Sequence, residues 1–111
     1  MILPGKTVLV TGAGSGIGRG LCVRLAKEGA SGLTMVDISE AAAHETLALV
    51  LAAAPMCVTN VVAADVSDVP SLEAAFKSHV AKFGSLHACF NNAGVAVGAW
   101  QTSLATSYDA I

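Results

Sequence analysis

The chain has 111 residues, enough for one small domain, and 54% of them are hydrophobic against 13% charged, a balance that suits strands buried on both faces and excludes a disordered chain. Its formal net charge is -2, with six lysines and arginines scattered along the sequence, so no basic stripe exists to neutralise a nucleic-acid backbone and nucleic acid is excluded as a partner. The first six residues lack the basic start and apolar run of a secretory signal, and the most apolar stretch, residues 47–58, is too short for a bilayer and broken by Pro55, so a soluble cytoplasmic protein with no membrane span is expected.

Residues 6–11 (KTVLVT) are a β-branched and apolar run ending in a glycine cluster, which reads as a buried strand delivered into a tight turn. From Gly16 onward, Ile17, Leu21 and Leu25 recur every four residues with Cys22 and Ala26 beside them, giving a helix with one apolar face that stops near Gly29. Residues 33–37 (LTMVD) form a second buried strand. Ser39 then caps a second helix whose apolar face is Ala43, Leu47, Val50, Leu51 and Ala54, and Pro55 closes it. Residues 58–64 (VTNVVAA) supply a third strand running to Asp65. Asp68 and Pro70 open a third helix with Leu72, Phe76, Val80 and Phe83 on one side and Gly84 as its stop. Residues 86–90 make a fourth strand running into Asn91-Asn92-Ala93-Gly94, followed by a loop and the first turns of a fourth helix at 104–111.

Strands that alternate with helices imply right-handed crossovers and a parallel sheet, hence an α/β doubly wound, Rossmann-type architecture with strand order 3-2-1-4. The first two helices are expected on one face and the third on the other. Cys22, Cys57 and Cys89 are an odd number with no Cys-x-x-Cys pair, and His44, His79 and His87 lack metal-ligand spacing. They read as reduced thiols and incidental imidazoles, and no metal site is assigned.

The turn Thr11-Gly12-Ala13-Gly14-Ser15-Gly16-Ile17-Gly18 joins the first strand to the first helix. A turn so placed aims the free amides and positive dipole end of a helix at an anion, and its glycines let the backbone approach a diphosphate closely. The glycines at 12, 16 and 18 give G-x-x-x-G-x-G rather than the G-x-G-x-x-G dinucleotide fingerprint. Arg19 and Gly20 follow where a nucleoside-triphosphate loop would have Lys and Ser or Thr. Asp37 ends the second strand 19 residues after Gly18, where a carboxylate accepts from both hydroxyls of an adenosine ribose. That carboxylate repels a 2′-phosphate, and Ile38 beside it is not the basic residue an NADP site wants. NAD is therefore preferred over NADP.

With these residues in view, the sequence resembles the short-chain dehydrogenase/reductase family over nearly its whole length. Three motifs carry the likeness: the turn from Thr11 through Gly12, Gly16, Ile17 and Gly18, the pair Asp65-Val66 after the third strand, and Asn91-Asn92-Ala93-Gly94 after the fourth. The last is the most specific. The resemblance implies that Gly12, Ser15 and Ile17 line the diphosphate and nicotinamide side of the cofactor, that Asp37 holds the ribose, and that Asp65 accepts from the adenine amino group. It also implies that Asn92, Ala93 and Gly94 close the pocket at the centre of the sheet.

The family interconverts alcohols and ketones with a tyrosine acid/base, a lysine four residues after it and a serine. These 111 residues contain one tyrosine, Tyr108, with no residue at its +4 position, so no catalytic residue is assigned. The implied whole protein is an NAD-dependent oxidoreductase acting on a small alcohol or ketone, homo-oligomeric when full length. The alternative is a non-catalytic nucleotide-binding or interaction module that pairs with a full-length relative. A complete six-stranded sheet at roughly 30 residues per unit needs on the order of 180 residues, so this chain is expected to be the N-terminal half, weakly stable or prone to aggregation alone. Thermal melting of the isolated chain should accordingly be broad or irreversible; a sharp cooperative melt of a soluble monomer would contradict this.

Overall fold

The computed structural model describes residues 3–92. Four strands, β1 (Thr7–Thr11), β2 (Gly32–Asp37), β3 (Val58–Ala63) and β4 (Ala88–Asn91), alternate with three helices, α1 (Gly16–Lys27), α2 (Glu40–Ala53) and α3 (Val69–Phe83). The sheet is parallel throughout, in the order β3-β2-β1-β4. The fold expected from the alternation of elements is the fold observed. The expected fourth helix at 104–111 lies outside the described residues.

Register decides where function can sit. Thr11 at the end of β1 pairs with Val36 on one side and Asn91 on the other, and Asp37 at the end of β2 pairs with Ala63. All four strands therefore deliver their carboxyl ends to one edge of the sheet. The chain leaves β1 toward β2 and β3, then crosses back to place β4 on the opposite side of β1. The reversal opens a crevice between β1 and β4, the place where doubly wound sheets take ligands.

Both faces of the sheet are covered, which is why its central strands are apolar without alternation. Val8, Val10, Leu33 and Met35 pack with Cys22, Leu25, Ala26 and Val50 from α1 and α2. Leu9 and Val36 pack with Leu72 and Ala75 of α3. Each of the large side chains taken fully out of water, such as Leu9, Leu33 and Met35, contributes roughly 1.5–3 kcal/mol. Burial first, and the neighbouring Cys57 second, push the Cys22 thiol up to about 12, so it stays protonated at neutral pH. Both thiols are free.

The helix starts follow the caps read from the sequence. Ser39 Oγ accepts from the Ala42 amide, and an Asp68 carboxylate oxygen accepts from the Ser71 amide. The inward faces depart from expectation in three places. Leu51 and Val80 are expected inside, yet they are 41% and 45% exposed, and Ile17, expected on the apolar face of α1, is 79% exposed at the helix start. The helix α2 turns Ala43, Thr46 and Val50 inward, and α3 turns Leu72, Ala75 and His79 inward. In both of these helices a polar residue holds a position that hydrophobicity alone would give to an aliphatic one, because the facing backbone or side chain offers it a hydrogen bond.

His79 is the clearest instance, and it is not incidental. Its ring is fully buried, with Nδ1 2.7 Å from Thr34 Oγ1 of β2. Asn60 of β3 donates to the same hydroxyl and to Ser78 Oγ. The His79 ring stands 4.8 Å from that of Phe83, and its Nε2 has no bonding partner among the described residues. Burial lowers the His79 pKa below its ordinary value of 6.5, against an opposite pull from the Ser85 carbonyl and with a further lowering by His87. The unfolded chain then binds the proton more readily than the folded one, so stability is complete above about pH 6.5 and falls as pH drops below it. An NMR titration should place the His79 midpoint below its ordinary value of 6.5, and denaturant midpoints should fall as pH drops below about 6.5; a His79 midpoint at or above 6.5 would refute the assignment.

Candidate dinucleotide-binding site

Eight of the predicted site residues gather at the carboxyl edge of β1, β2 and β4. Gly12 and Gly16 adopt φ of 65° and 41°, in the left-handed region that a side chain disfavours. The loop they shape carries β1 into α1 in four residues. A Cβ on Gly18 would stand 2.7 Å from the Gly12 carbonyl carbon and 2.8 Å from Asn92 Nδ2, so the helix start is packed directly against the loop and against the end of β4. The Asn92 amide donates to Thr11 Oγ1 at 3.0 Å, and that hydroxyl donates to Asn91 Oδ1 at 3.2 Å. These bonds tie the ends of β1 and β4 together across the crevice.

Ser15 is the N-cap of α1 with an extended backbone, but its side chain makes no capping bond, and the first turn carries no acidic residue. The first-turn amides are thus left without the side-chain oxygen that usually satisfies them, at the positive end of the helix dipole. That arrangement suits an anion supplied from outside the chain.

Asp37 closes the other side. Its Oδ2 accepts from the Gly14 amide at 2.8 Å and its Oδ1 accepts from the Ser39 amide at 2.8 Å. Each carboxylate oxygen can accept two hydrogen bonds, so one lone-pair position on each is left over from these two amides. Ile17 and Ile38 flank the crevice at 79% and 73% exposed, two large apolar side chains turned to water where a ring could cover them.

Asp65 and Val66 follow β3 at the same edge, two strands from the loop. The Asp65 side chain is exposed and its Oδ1 accepts from the Ser67 amide and hydroxyl at 3.0 and 2.6 Å. The hydroxyl bond first, and the amide bond second, lower its pKa below the ordinary carboxylate range, and the group is an anion at neutral pH. Val66 turns its side chain into the core beneath α3. Ala93 and Gly94 lie outside the described residues.

Gly14 was not among the residues assigned from the sequence. Its amide meets Asp37, and a Cβ on it would stand 2.6 Å from Ala42 Cβ and 2.9 Å from Asp37 Cγ. The spacing of glycines at 12 and 14 was the available signal, a short G-x-G inside the longer motif. Among the described residues no cluster of three or more His, Cys, Asp or Glu could hold a metal ion, and no helix is long and apolar enough to cross a membrane.

The family model for the short chain dehydrogenase matches residues 6–110. The chain belongs to the short-chain dehydrogenase family. Levodione reductase from Leifsonia aquatica is 43% identical over 90 residues, covering 81% of this chain and 33% of that protein. Cyclohexanol dehydrogenase from Acinetobacter sp. (strain SE19) is 37% identical over 90 residues, covering 81% of this chain and 35% of the relative. Among solved structures, levodione reductase superposes with a TM-score of 0.80 at 42% identity over 84% of this chain and 36% of the other. NAD+-bound xylitol dehydrogenase gives 0.78 at 32% identity, over 85% and 35%. The chain spans about a third of the length of the curated relatives it matches. Family membership makes the chain part of an oxidoreductase family whose relatives include alcohol dehydrogenases and ketone reductases.

The closeness of α1 to its loop gives a direct test. Gly18→Ala should destabilise the chain by roughly 1–3 kcal/mol, because the new methyl meets backbone that cannot yield, whereas Gly20→Ala, with open space around it, should be neutral or slightly stabilising. Denaturant unfolding of the two variants measures the difference; equal stabilities would contradict the packing described.

Proposed function

We propose that this crevice binds NAD and that the protein is an NAD-dependent oxidoreductase acting on a CH–OH or carbonyl group of a small alcohol or ketone. The observation that carries the reading is the pairing of an uncapped helix start with Asp37. The first offers amides to a diphosphate, and the second offers two oxygens, each with acceptor capacity beyond the amide it already holds, to a ribose diol. Support comes from two similar solved structures described as bound to NAD, xylitol dehydrogenase and a short chain dehydrogenase from Mycobacterium paratuberculosis, which are 32% and 33% identical.

Bound NAD would supply the hydride acceptor, and the residues of this chain bind and orient it. Gly12, Gly14, Ser15, Gly16 and Gly18 bring main chain to the diphosphate. Ile17 and Ile38 cover apolar faces of the rings, Asp65 accepts from the adenine amino group, and Asn92 with Ala93 and Gly94 closes the pocket at the centre of the sheet. Residue 38 offers no cation to a 2′-phosphate, and Asp37 repels one.

Proton transfer at the substrate oxygen requires an acid/base of suitable pKa, and no catalytic tyrosine is assigned among these 111 residues. The 111 residues are therefore expected to bind dinucleotide without turning over secondary alcohols. The complete protein is proposed to act as a homo-oligomer. A non-catalytic module that pairs with a full-length relative would share the crevice, and only activity regained on mixing the two chains would favour it.

The decisive experiment is a comparison of NADH and NADPH binding to the chain and to Asp37→Asn by fluorescence titration. The unmodified chain should prefer NADH, and Asp37→Asn, which removes the charge but keeps an acceptor, should narrow that preference by roughly tenfold. No binding of either dinucleotide, or a preference unmoved by the substitution, would overturn the reading.

A further inference from the structure

Arg19 stands in the first turn of α1, where a cation is opposed by the helix dipole. The structure shows what holds it there. Its Nε donates to Thr46 Oγ1 of α2 at 3.0 Å, and one terminal nitrogen donates to the Gly14 carbonyl at 2.9 Å and to the Ala42 carbonyl at 3.2 Å. Glu45 lies 3.9 Å from the same nitrogen. Thr46 is fully buried, and its hydroxyl donates to the Ala13 carbonyl at 2.7 Å. Two consecutive carbonyls of the glycine loop, those of Ala13 and Gly14, are thus each gripped from behind by a side chain.

A peptide plane fixed by its carbonyl is fixed at its amide as well, because the two groups point in opposite directions across one rigid unit. The Ala13 carbonyl fixes the plane that carries the Gly14 amide, and the Gly14 carbonyl fixes the plane that carries the Ser15 amide. We propose that Arg19 and Thr46 are positioning residues that hold the glycine loop with the Gly14 amide on Asp37 and the Ser15 amide turned to the crevice, setting affinity for the diphosphate of the dinucleotide without touching it. This rests on the dinucleotide reading above. It also explains a polar residue on the inner face of α2: Thr46 links that helix to the loop, so α2 braces the site.

The geometry separates this role from a general contribution to stability. A lysine at position 19 keeps the charge but cannot reach three acceptors with a planar fork. A valine at 46 keeps the shape and removes both the donor to Ala13 and the acceptor for Arg19. Asp37 remains held by the Ser39 amide in either variant, so the ribose contact should survive when the loop is loosened.

The test measures Kd for NADH, ADP-ribose and adenosine on the 111-residue chain and on Arg19→Lys, Thr46→Val and Thr46→Ser. NADH and ADP-ribose should weaken about tenfold in Arg19→Lys and Thr46→Val, while adenosine changes by less than about twofold and Thr46→Ser restores the original values. A uniform loss across all three ligands, which lower folded population alone would cause, or no loss at all, would overturn the proposal. If the unsubstituted chain binds no dinucleotide, the NAD reading fails, and the tether is judged on amide exchange instead. The Gly14 and Ser15 amides should exchange faster in Thr46→Val than in Thr46→Ser, and equal exchange would overturn the positioning role independently of any ligand.

Discussion

The hydrogen bond from the Gly14 amide to the Asp37 carboxylate, 2.8 Å long, is the constraint on which the crevice depends. It joins the loop after β1 to the end of β2, setting the part of the chain suited to a diphosphate beside the part suited to a sugar, whose carboxylate is also held by the Ser39 amide. Around it, Thr11 ties the loop to β4 through Asn91 and Asn92, and the absence of a Cβ at Gly18 lets α1 close directly on Gly12. A carboxylate held by two main-chain amides keeps its orientation, which a binding group needs and a mobile surface acid lacks. Precision at this edge comes from backbone meeting backbone, and the glycines are the residue type that permits it.

The sheet supplies the platform for that precision. Strand pairing sets Thr11, Val36 and Asn91 level with one another, with Asp37 one residue beyond, and burial of both faces holds the strand ends against displacement. The helices divide the labour. α1 presents its amino end to the crevice, α2 braces the loop from outside through Thr46 and Arg19, and α3 seals the opposite face with a polar contact from His79 to Thr34 set into an otherwise apolar layer. Because these polar links are buried, each loses more if broken than it contributes while intact.

Much of this was legible in the sequence because the relevant signals are local. The strands are short apolar runs, Ser39 and Asp68 are cap residues placed before helices, and the glycine turn sits between a strand and a helix with an acid at the end of the next strand. The misjudged positions are those where a long-range partner decides. Leu51 and Val80 were expected inside on hydrophobicity, but Thr46 and His79 take inward positions because Ala13 and Thr34, 33 and 45 residues away in sequence, offer them hydrogen bonds. The alanine-rich α2 offered little contrast between its faces, so an aliphatic stripe could be drawn on it in more than one way. The sequence assigns no binding role to Gly14 or Arg19 for the same reason: what they do is defined by Asp37 and Thr46, which only folding brings near.

A crystal structure of the chain grown with NAD examines the central claim most directly. The diphosphate oxygens should lie within about 3.2 Å of main-chain amides at the start of α1, with both ribose hydroxyls donating to Asp37 while its bonds to Gly14 and Ser39 persist. A dinucleotide bound elsewhere, or a crevice filled by the protein's own side chains at saturating NAD, would contradict it.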